Sequence, residues 1–276
     1  MIESKKRKVL LHIFLIVLGV IWIYPFLWMI SASFKTNRSF FGSGLNLIPK
    51  VWHWENYTRA WQTAHFAQYF LNSVIVTVST VIIVTVVCAL TGYALGRVRF
   101  PGRRVAMVLI AATMFIPKGY TIIPLFEIIR HIGLMNNLLG VIVAESAGAH
   151  VLYILLFTSF FSSLPDELED AAAIDGCGFF RTFWRVMLPL SGPVIATTAI
   201  MQFIWSWNAF LEPLIFTLNR PDLRTLAVGM YSFVGEYMTD YTGMTAGATI
   251  SLIPIMLVFI FMQRYFVEGI AGAVKQ

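Results

Sequence analysis

Charge is scarce in this chain. Asp, Glu, Lys and Arg make up 12% of its 276 residues, about half the roughly 25% of an ordinary soluble domain. That shortage excludes a large water-facing surface. Cysteine is scarcer still: Cys88 and Cys177 stand alone, without a CxxC spacing, which argues against a disulfide framework or a zinc site. His12, His53, His65, His131 and His150 form no HExxH, and neither GxSxG nor GxxxxGK(S/T) occurs. The chain therefore carries no phosphate-cradling loop and no metal ligand set of its own. The formal charge of +6 and pI near 9.4 do not imply nucleic acid, because the basic residues sit beside apolar runs rather than on an aromatic-interleaved polar face. What the chain has in abundance is apolar surface: 58% of residues, with a mean hydropathy of +0.75. An all-α, polytopic membrane protein follows, since a span needs about 20 apolar residues and the length accommodates about six.

The apolar runs divide the chain. Lys5, Lys6, Arg7 and Lys8 precede the first, from Val9 to about Ser33, which is too long for a signal-peptide core and reads as an uncleaved span starting in the cytosol. A polar, tryptophan-bearing stretch to about Gln68 fits an amphipathic element at the outer interface. Residues 1–68 thus form an N-terminal span with an external segment. The second span, about Tyr69 to Leu95, is rich in Val, Ile and Thr, yet a continuous lipid-embedded run must be helical. Its Gly92 and Gly96 make a GxxxG that lets another helix approach. A basic turn follows, Arg97 to Arg104, with no acid in it. Further spans are expected at 105–123 (interrupted at Pro117-Lys118-Gly119), 138–161, 194–216 and 244–266. Residues 69–267 form the core and 268–276 a tail. The dense clusters at 5–8 and 97–104 place both termini in the cytosol.

The loop 164–190 has its own organisation. Asp166, Glu167 and Glu169 crowd the turn after Pro165, where negative charge suits a helix N-terminus. Ala171-Ala172-Ala173 propagates the helix, and Asp175-Gly176 stops it, because glycine takes the left-handed closing conformation. A second short helix carries Phe179, Phe180, Phe183 and Trp184 on one face and ends at Pro189. These apolar side chains either pack on the protein's own inner surface or plug a groove in a soluble partner.

The residues Asp170-Ala171-Ala172, Gly176 and Val186-Met187-Leu188-Pro189 resemble the EAA signature of bacterial ABC importer permeases, E-A-A-x3-G-x9-I-x-L-P. The spacing matches throughout, with Asp170 in place of glutamate and Val186 in place of isoleucine. Asn72-Ser73, Tyr93 to Arg97, Arg99 to Gly102, Trp207-Asn208 and Gly269 with Gly272 to Lys275 look like the carbohydrate-uptake, maltose-type branch; Ala209 stands where that branch often has glutamate. The resemblance implies a type I importer permease fold with six membrane helices and a cytosolic coupling helix between the fourth and fifth. It implies a non-enzymatic subunit forming half of a sugar pathway. Its partners would be a second permease in a heterodimer, two cytosolic ATPase subunits that hold ATP and Mg, and an external solute-binding protein. Coupling would fall to Glu169, Asp170, Ala171, Ala172, Asp175, Gly176, Phe179, Phe180, Phe183, Leu188 and Pro189, and the C-terminal Gly272 to Lys275 would touch the ATPase pair.

For the solute, Gln202, Trp205, Trp207 and Asn208 gather hydrogen-bonding groups and aromatic faces within two turns, and Glu145 is an intramembrane acid. They equally fit an interface belt and bridges between helices. Glu145 could pair with Lys118. A secondary transporter driven by an ion gradient is the alternative. It calls for matching broken helices in two half-chain repeats, and only the break at Pro117 is evident.

Overall fold

Backbone amides in an apolar span find partners only within the segment, so helix is the expected outcome, and the computed structural model is helical almost throughout. It describes residues 5–42, 44–63, 65–148, 150–235 and 239–274, and at 5–6, 63, 118 and 264–274 the backbone alone. The expectations for Lys5, Lys6, the Lys118 partner of Glu145 and the C-terminal Gly272 to Lys275 lie outside the described side chains.

The helices are α1 (Lys5–Ala32), α2 (Asn37–Gly42), α3 (Glu55–Thr63), α4 (Phe66–Arg97), α5 (Arg103–Ala112), α6 (Lys118–His131), α7 (Leu138–Ser146), α8 (Val151–Ser163), α9 (Glu167–Ile174), α10 (Phe179–Thr182), α11 (Leu188–Leu190), α12 (Gly192–Trp207), α13 (Leu211–Phe216), α14 (Leu226–Gly229) and α15 (Tyr241–Val274). Among the described residues the β-structure is one isolated bridge, Val234 to Thr239.

Among the described residues, three helices are long and apolar enough to cross a membrane alone: Arg7–Ala32, Phe66–Arg97 and Tyr241–Gln263. Three bent pairs bring the number to six if each is one span: Arg103–Phe115 with Gly119–His131 at 110°, Leu138–Ser146 with Val151–Ser163 at 57°, and Phe179–Leu190 with Gly192–Trp207 at 81°. Several boundaries differ from the expected ones. Pro124 does not end the third span, because α6 runs through it to His131. The fifth span is not continuous to residue 216: α12 stops at Trp207 and α13 resumes at Leu211. Pro213 explains this, since it has no N–H for the Ala209 carbonyl and its ring would collide with that carbonyl in a continuous helix.

The chain divides into two units, residues 1–67 with 229–253, and residues 68–228 with 254–276. In the first, the apolar side chains of α1 are exposed along nearly its whole length, as suits lipid or a partner helix. After α1 the chain wraps Phe34 in aromatic rings, with Trp52 and Trp54 edge-on at 4.9 and 4.7 Å and Tyr57 tilted at 5.1 Å. Asn56 donates to the carbonyls of Ser33 and Lys35, both at 2.8 Å.

Asp240 ties this segment to α15. Its carboxylate takes Arg59 Nε at 2.8 Å and Nη2 at 3.1 Å, and accepts from the Gly243 N–H at 3.0 Å, capping the helix. Burial raises the Asp240 carboxyl, but the bonds from Gly243, Arg59 and Thr242 outweigh it and hold the group below its ordinary value. A carboxyl depressed by folding stabilises above its unfolded pKa of about 4, and the contribution fades as pH falls through the lower folded value. Asp240→Asn is therefore expected to lower the melting temperature at pH 7, and the gap from the parent should close below about pH 4. Thermal melts of the detergent-solubilised protein at several pH values check it.

In the second unit, α4 supplies the central wall. Val84, Cys88, Ala89 and Tyr93 pack with Tyr153, Ile154, Phe157 and Phe161 of α8 and with Phe183, Met187 and Val194. A second cluster joins Val76 to Ile129, Val141, Ile142, Ala144 and Phe216. The GxxxG is a close contact, as expected. A Cβ on Gly92 would lie 2.4 Å from Phe157 Cβ and 2.9 Å from the Thr158 nitrogen. Asn72 and Ser73 hold the 222–226 loop: Asn72 donates to the carbonyls of Asp222 and Arg224, and Ser73 Oγ accepts from the Leu226 N–H at 2.7 Å.

Candidate functional site

The loop between α8 and α12 forms a folded knob built as the local sequence dictates. Three acids, Glu167, Glu169 and Asp170, occupy the first turn of α9, where the exposed N–H groups favour them. The helix closes at Gly176, whose φ of 73° is left-handed. There the Cys177 N–H reaches Ala172 O at 2.9 Å and the Gly176 N–H reaches Ala173 O at 3.0 Å. That paired bonding is the Schellman closure. The chain then enters α10 and widens into a π-helical stretch, Phe183–Met187, in which the Leu188 N–H bonds Phe183 O. Pro189 accounts for the widening, because it offers the Arg185 carbonyl no hydrogen and crowds it. An 81° bend then leads into α12.

The base of the knob is bound to α4. Arg97 Nε meets Glu169 Oε2 at 2.7 Å and its Nη2 meets Asp166 Oδ1 at 2.7 Å. Its Nη1 donates to Leu164 O at 2.9 Å, and Tyr93 Oη donates to Glu169 Oε1 at 2.7 Å. Both oxygens of Glu169 are thus engaged from one helix. The Arg97 side chain is 6% exposed, against 29% for Glu169 and 83% for Asp166. The Tyr93 ring stacks on Phe179 at 4.9 Å and Phe183 at 5.6 Å and meets Phe161 edge-on at 5.5 Å. Charge and aromatic contacts together fix the base while leaving the tip free.

The tip is apolar and open. Ile174 is 87% exposed, Phe180 64% and Trp184 50%. Asp170, Ala171, Ala173 and Asp175 are exposed as well, and the Asp170 carboxylate has no partner among the described residues. Two expected contacts are turned the other way. Phe183 is wholly buried on Tyr93, so it anchors the knob to its own body rather than offering itself to a partner. Ala172 is also buried. Phe179 is half-covered by Tyr93, Leu188 is half-buried and Pro189 exposed.

Sequence reading did not foresee the roles of Tyr93, Arg97 and Ile174. Arg97 and Glu169 are complementary charges at the ends of two apolar runs, but a separation of 72 positions leaves no periodic signal connecting them.

Residues 88–272 match the family of binding-protein-dependent transport system inner membrane components. The chain belongs to that family. It is 38% identical over 276 residues to the diacetylchitobiose uptake system permease protein NgcG of Streptomyces coelicolor, covering 99% of this chain and 89% of that one. Identity to the trehalose/maltose transport system permease protein MalG of Thermococcus litoralis is 32%, covering 99% of each. Among solved structures, a bacterial ABC transporter involved in import of the acidic polysaccharide alginate matches with a TM-score of 0.81 and 25% identity, covering 96% of this chain and 99% of that one. As a family member the chain is a membrane-spanning permease subunit, and hydrolysis of ATP belongs to a separate subunit.

The solute candidates do not share one face of α12 in this permease. Gln202 and Trp207 are 1% and 4% exposed, and Trp207 packs on Phe70 and Phe203. Trp205 is 52% exposed. Asn208 is exposed too and caps the helix by donating to Ile204 O at 2.7 Å. Glu145 is buried on a different helix, α7. Thr198, Gln202 and Ser206, spaced i, i+4, i+8, form a buried polar stripe along α12. Thr198 Oγ1, Gln202 Nε2 and Ser206 Oγ have no hydrogen-bond partner among the described residues.

Proposed function

We propose that this subunit forms half of the translocation pathway for an oligosaccharide or related carbohydrate, with its α9 knob seated in a groove of a cytosolic ATPase subunit. The observation that carries this reading is the contrast within one loop: a base clamped by Arg97 and Tyr93, and a tip presenting Ile174, Phe180 and Trp184. Apolar side chains held out on a rigid support are an interface anchor, because docking them costs little ordering and removes their surface from water. Asp170 and the small Ala171 and Ala173 beside them suit close backbone approach. The relatives named for diacetylchitobiose and for trehalose/maltose, and the alginate importer, support a sugar as the solute.

The working complex holds a second permease subunit, two ATPase subunits that bind ATP and Mg, and an external binding protein that delivers the sugar. Both termini and the knob face the cytosol, in keeping with the basic clusters at 5–8 and 97–104. ATP binding favours one arrangement of the spans and hydrolysis the other, so the knob carries the difference between the two states. The polar stripe of Thr198, Gln202 and Ser206 meets the sugar when the helices around α12 part; Trp205 and Asn208 line the approach.

Reconstituting the complex in vesicles tests the reading. Ile174→Asp combined with Phe180→Asp is expected to change the subunit's own stability by less than about 0.5 kcal/mol, since both side chains are exposed, while lowering ATP-driven uptake of labelled maltodextrin or chitobiose more than tenfold. Undiminished uptake by that variant refutes the coupling assignment. Uptake in vesicles that lack the ATPase supports a gradient-driven carrier instead.

A further inference from the structure

The basic turn between α4 and α5 has work beyond topology. Of its four arginines, Arg97 is committed to Glu169 and Asp166, and Arg103 donates to Gly96 O at 3.3 Å. Arg99 and Arg104 are exposed and have no acidic partner among the described residues. The turn borders a shallow, open cleft of about 540 Å³ formed by Arg99 to Val105, including Phe100, Arg103 and Arg104, with no carboxylate among these lining residues. An apolar stripe leads away from the cleft along α5: Val105 is 62% exposed, Val108 66% and Leu109 63%, at the i, i+3, i+4 spacing of one helix face.

Charge at one end and an apolar track at the other describe an amphiphile. A free anion would use the guanidinium groups alone and leave the track uncovered. A zwitterionic headgroup would bring a cation into a cleft that already holds three. The geometry points to an acidic phospholipid bound at this turn, its phosphate between Arg99 and Arg104 and an acyl chain along Val105, Val108 and Leu109. The general bias of basic residues towards one side of a membrane explains the charges. It explains neither the cleft nor its alignment with an exposed stripe. Basic pockets beside membrane helices hold acidic headgroups by this combination. Because Arg97 in the same turn grips the α9 knob, the lipid sits one residue pair away from the clamp.

The test uses the purified importer complex in detergent, titrated with short-chain phosphatidylglycerol, short-chain phosphatidylcholine and inorganic phosphate, with bound lipid read by native mass spectrometry. Phosphatidylglycerol is expected to bind at least roughly tenfold more tightly than phosphatidylcholine, and Arg99→Gln with Arg104→Gln to erase that preference. Val108→Gln with Leu109→Gln should weaken phosphatidylglycerol while leaving both charges in place. Equal affinity for the two lipids in the parent complex overturns the proposal, as does a preference that survives the arginine changes. Displacement of the lipid by inorganic phosphate at equal concentration also overturns it, by making the site one for a free anion. Should the double arginine variant fail to assemble, Arg104→Gln alone carries the same test, with the preference expected to fall by at least half.

Discussion

Arg97→Met is expected to leave the importer assembled and hydrolysing ATP while uptake per ATP falls more than tenfold. The methionine keeps the bulk of the stem against α4 but removes the bonds to Glu169, Asp166 and Leu164 O. Glu169 would retain the Tyr93 hydroxyl. Because Glu169 and Asp166 reach solvent, water takes up their charges, and the loss is closer to about 2 kcal/mol than to the 3–5 kcal/mol of a fully buried pair. On the proposed coupling role, that is enough to loosen the knob and so to weaken transmission to the spans. Arg97→Lys should fall between the two, since an ammonium reaches one carboxylate but cannot fork to two and a carbonyl together. Simultaneous measurement of hydrolysis and sugar accumulation in reconstituted vesicles decides the matter. Parental stoichiometry in the methionine variant would remove the clamp from the mechanism.

Gly92→Ala is expected to cost the subunit about 3 kcal/mol and much of its yield as a monodisperse species. The added carbon would meet Phe157 Cβ at 2.4 Å and the Thr158 nitrogen at 2.9 Å. Neither is the end of a flexible side chain, so α4 and α8 must separate as bodies. Phe157 and Phe161, both fully buried beside this contact, would lose their neighbours along the seam. Gly19 on α1 gives the comparison: nothing among the described residues lies within 4 Å of a Cβ there. Gly19→Ala should be neutral or stabilising by up to about 1 kcal/mol in the same thermal melt. A small loss at Gly92 would mean that the α4–α8 approach is looser than its distances imply.

The features legible in the sequence are those written locally. The start of α9 lies in its acids and its end in Gly176, and both fall where composition puts them. The division into apolar helical runs is equally direct, because length and the need for internal hydrogen bonds leave few options. Orientation within the knob was not legible. The helix groups Phe179, Phe180 and Phe183 on a common face, but the ring of Tyr93 sorts them into buried, half-covered and exposed. The fourth span bends with no proline at its break, where His150 takes a left-handed φ of 39°. The end of α12 was written in Pro213, four residues after the carbonyl it disables, and its signal was masked by the apolar residues on either side. The Arg97 clamp needs the tertiary fold to exist before its members meet.

The elbow between Leu190 and Gly192 has a mechanical side. Residues Phe179–Leu190 form an unbroken helical rod set at 81° to α12, about 18 Å long at 1.5 Å per residue. Turning such a crank by about 10° sweeps its far end through about 3 Å, roughly two residues' rise along a helix. Small angular strokes at the bend and ångström-scale travel at the tip are therefore the same movement read at two radii.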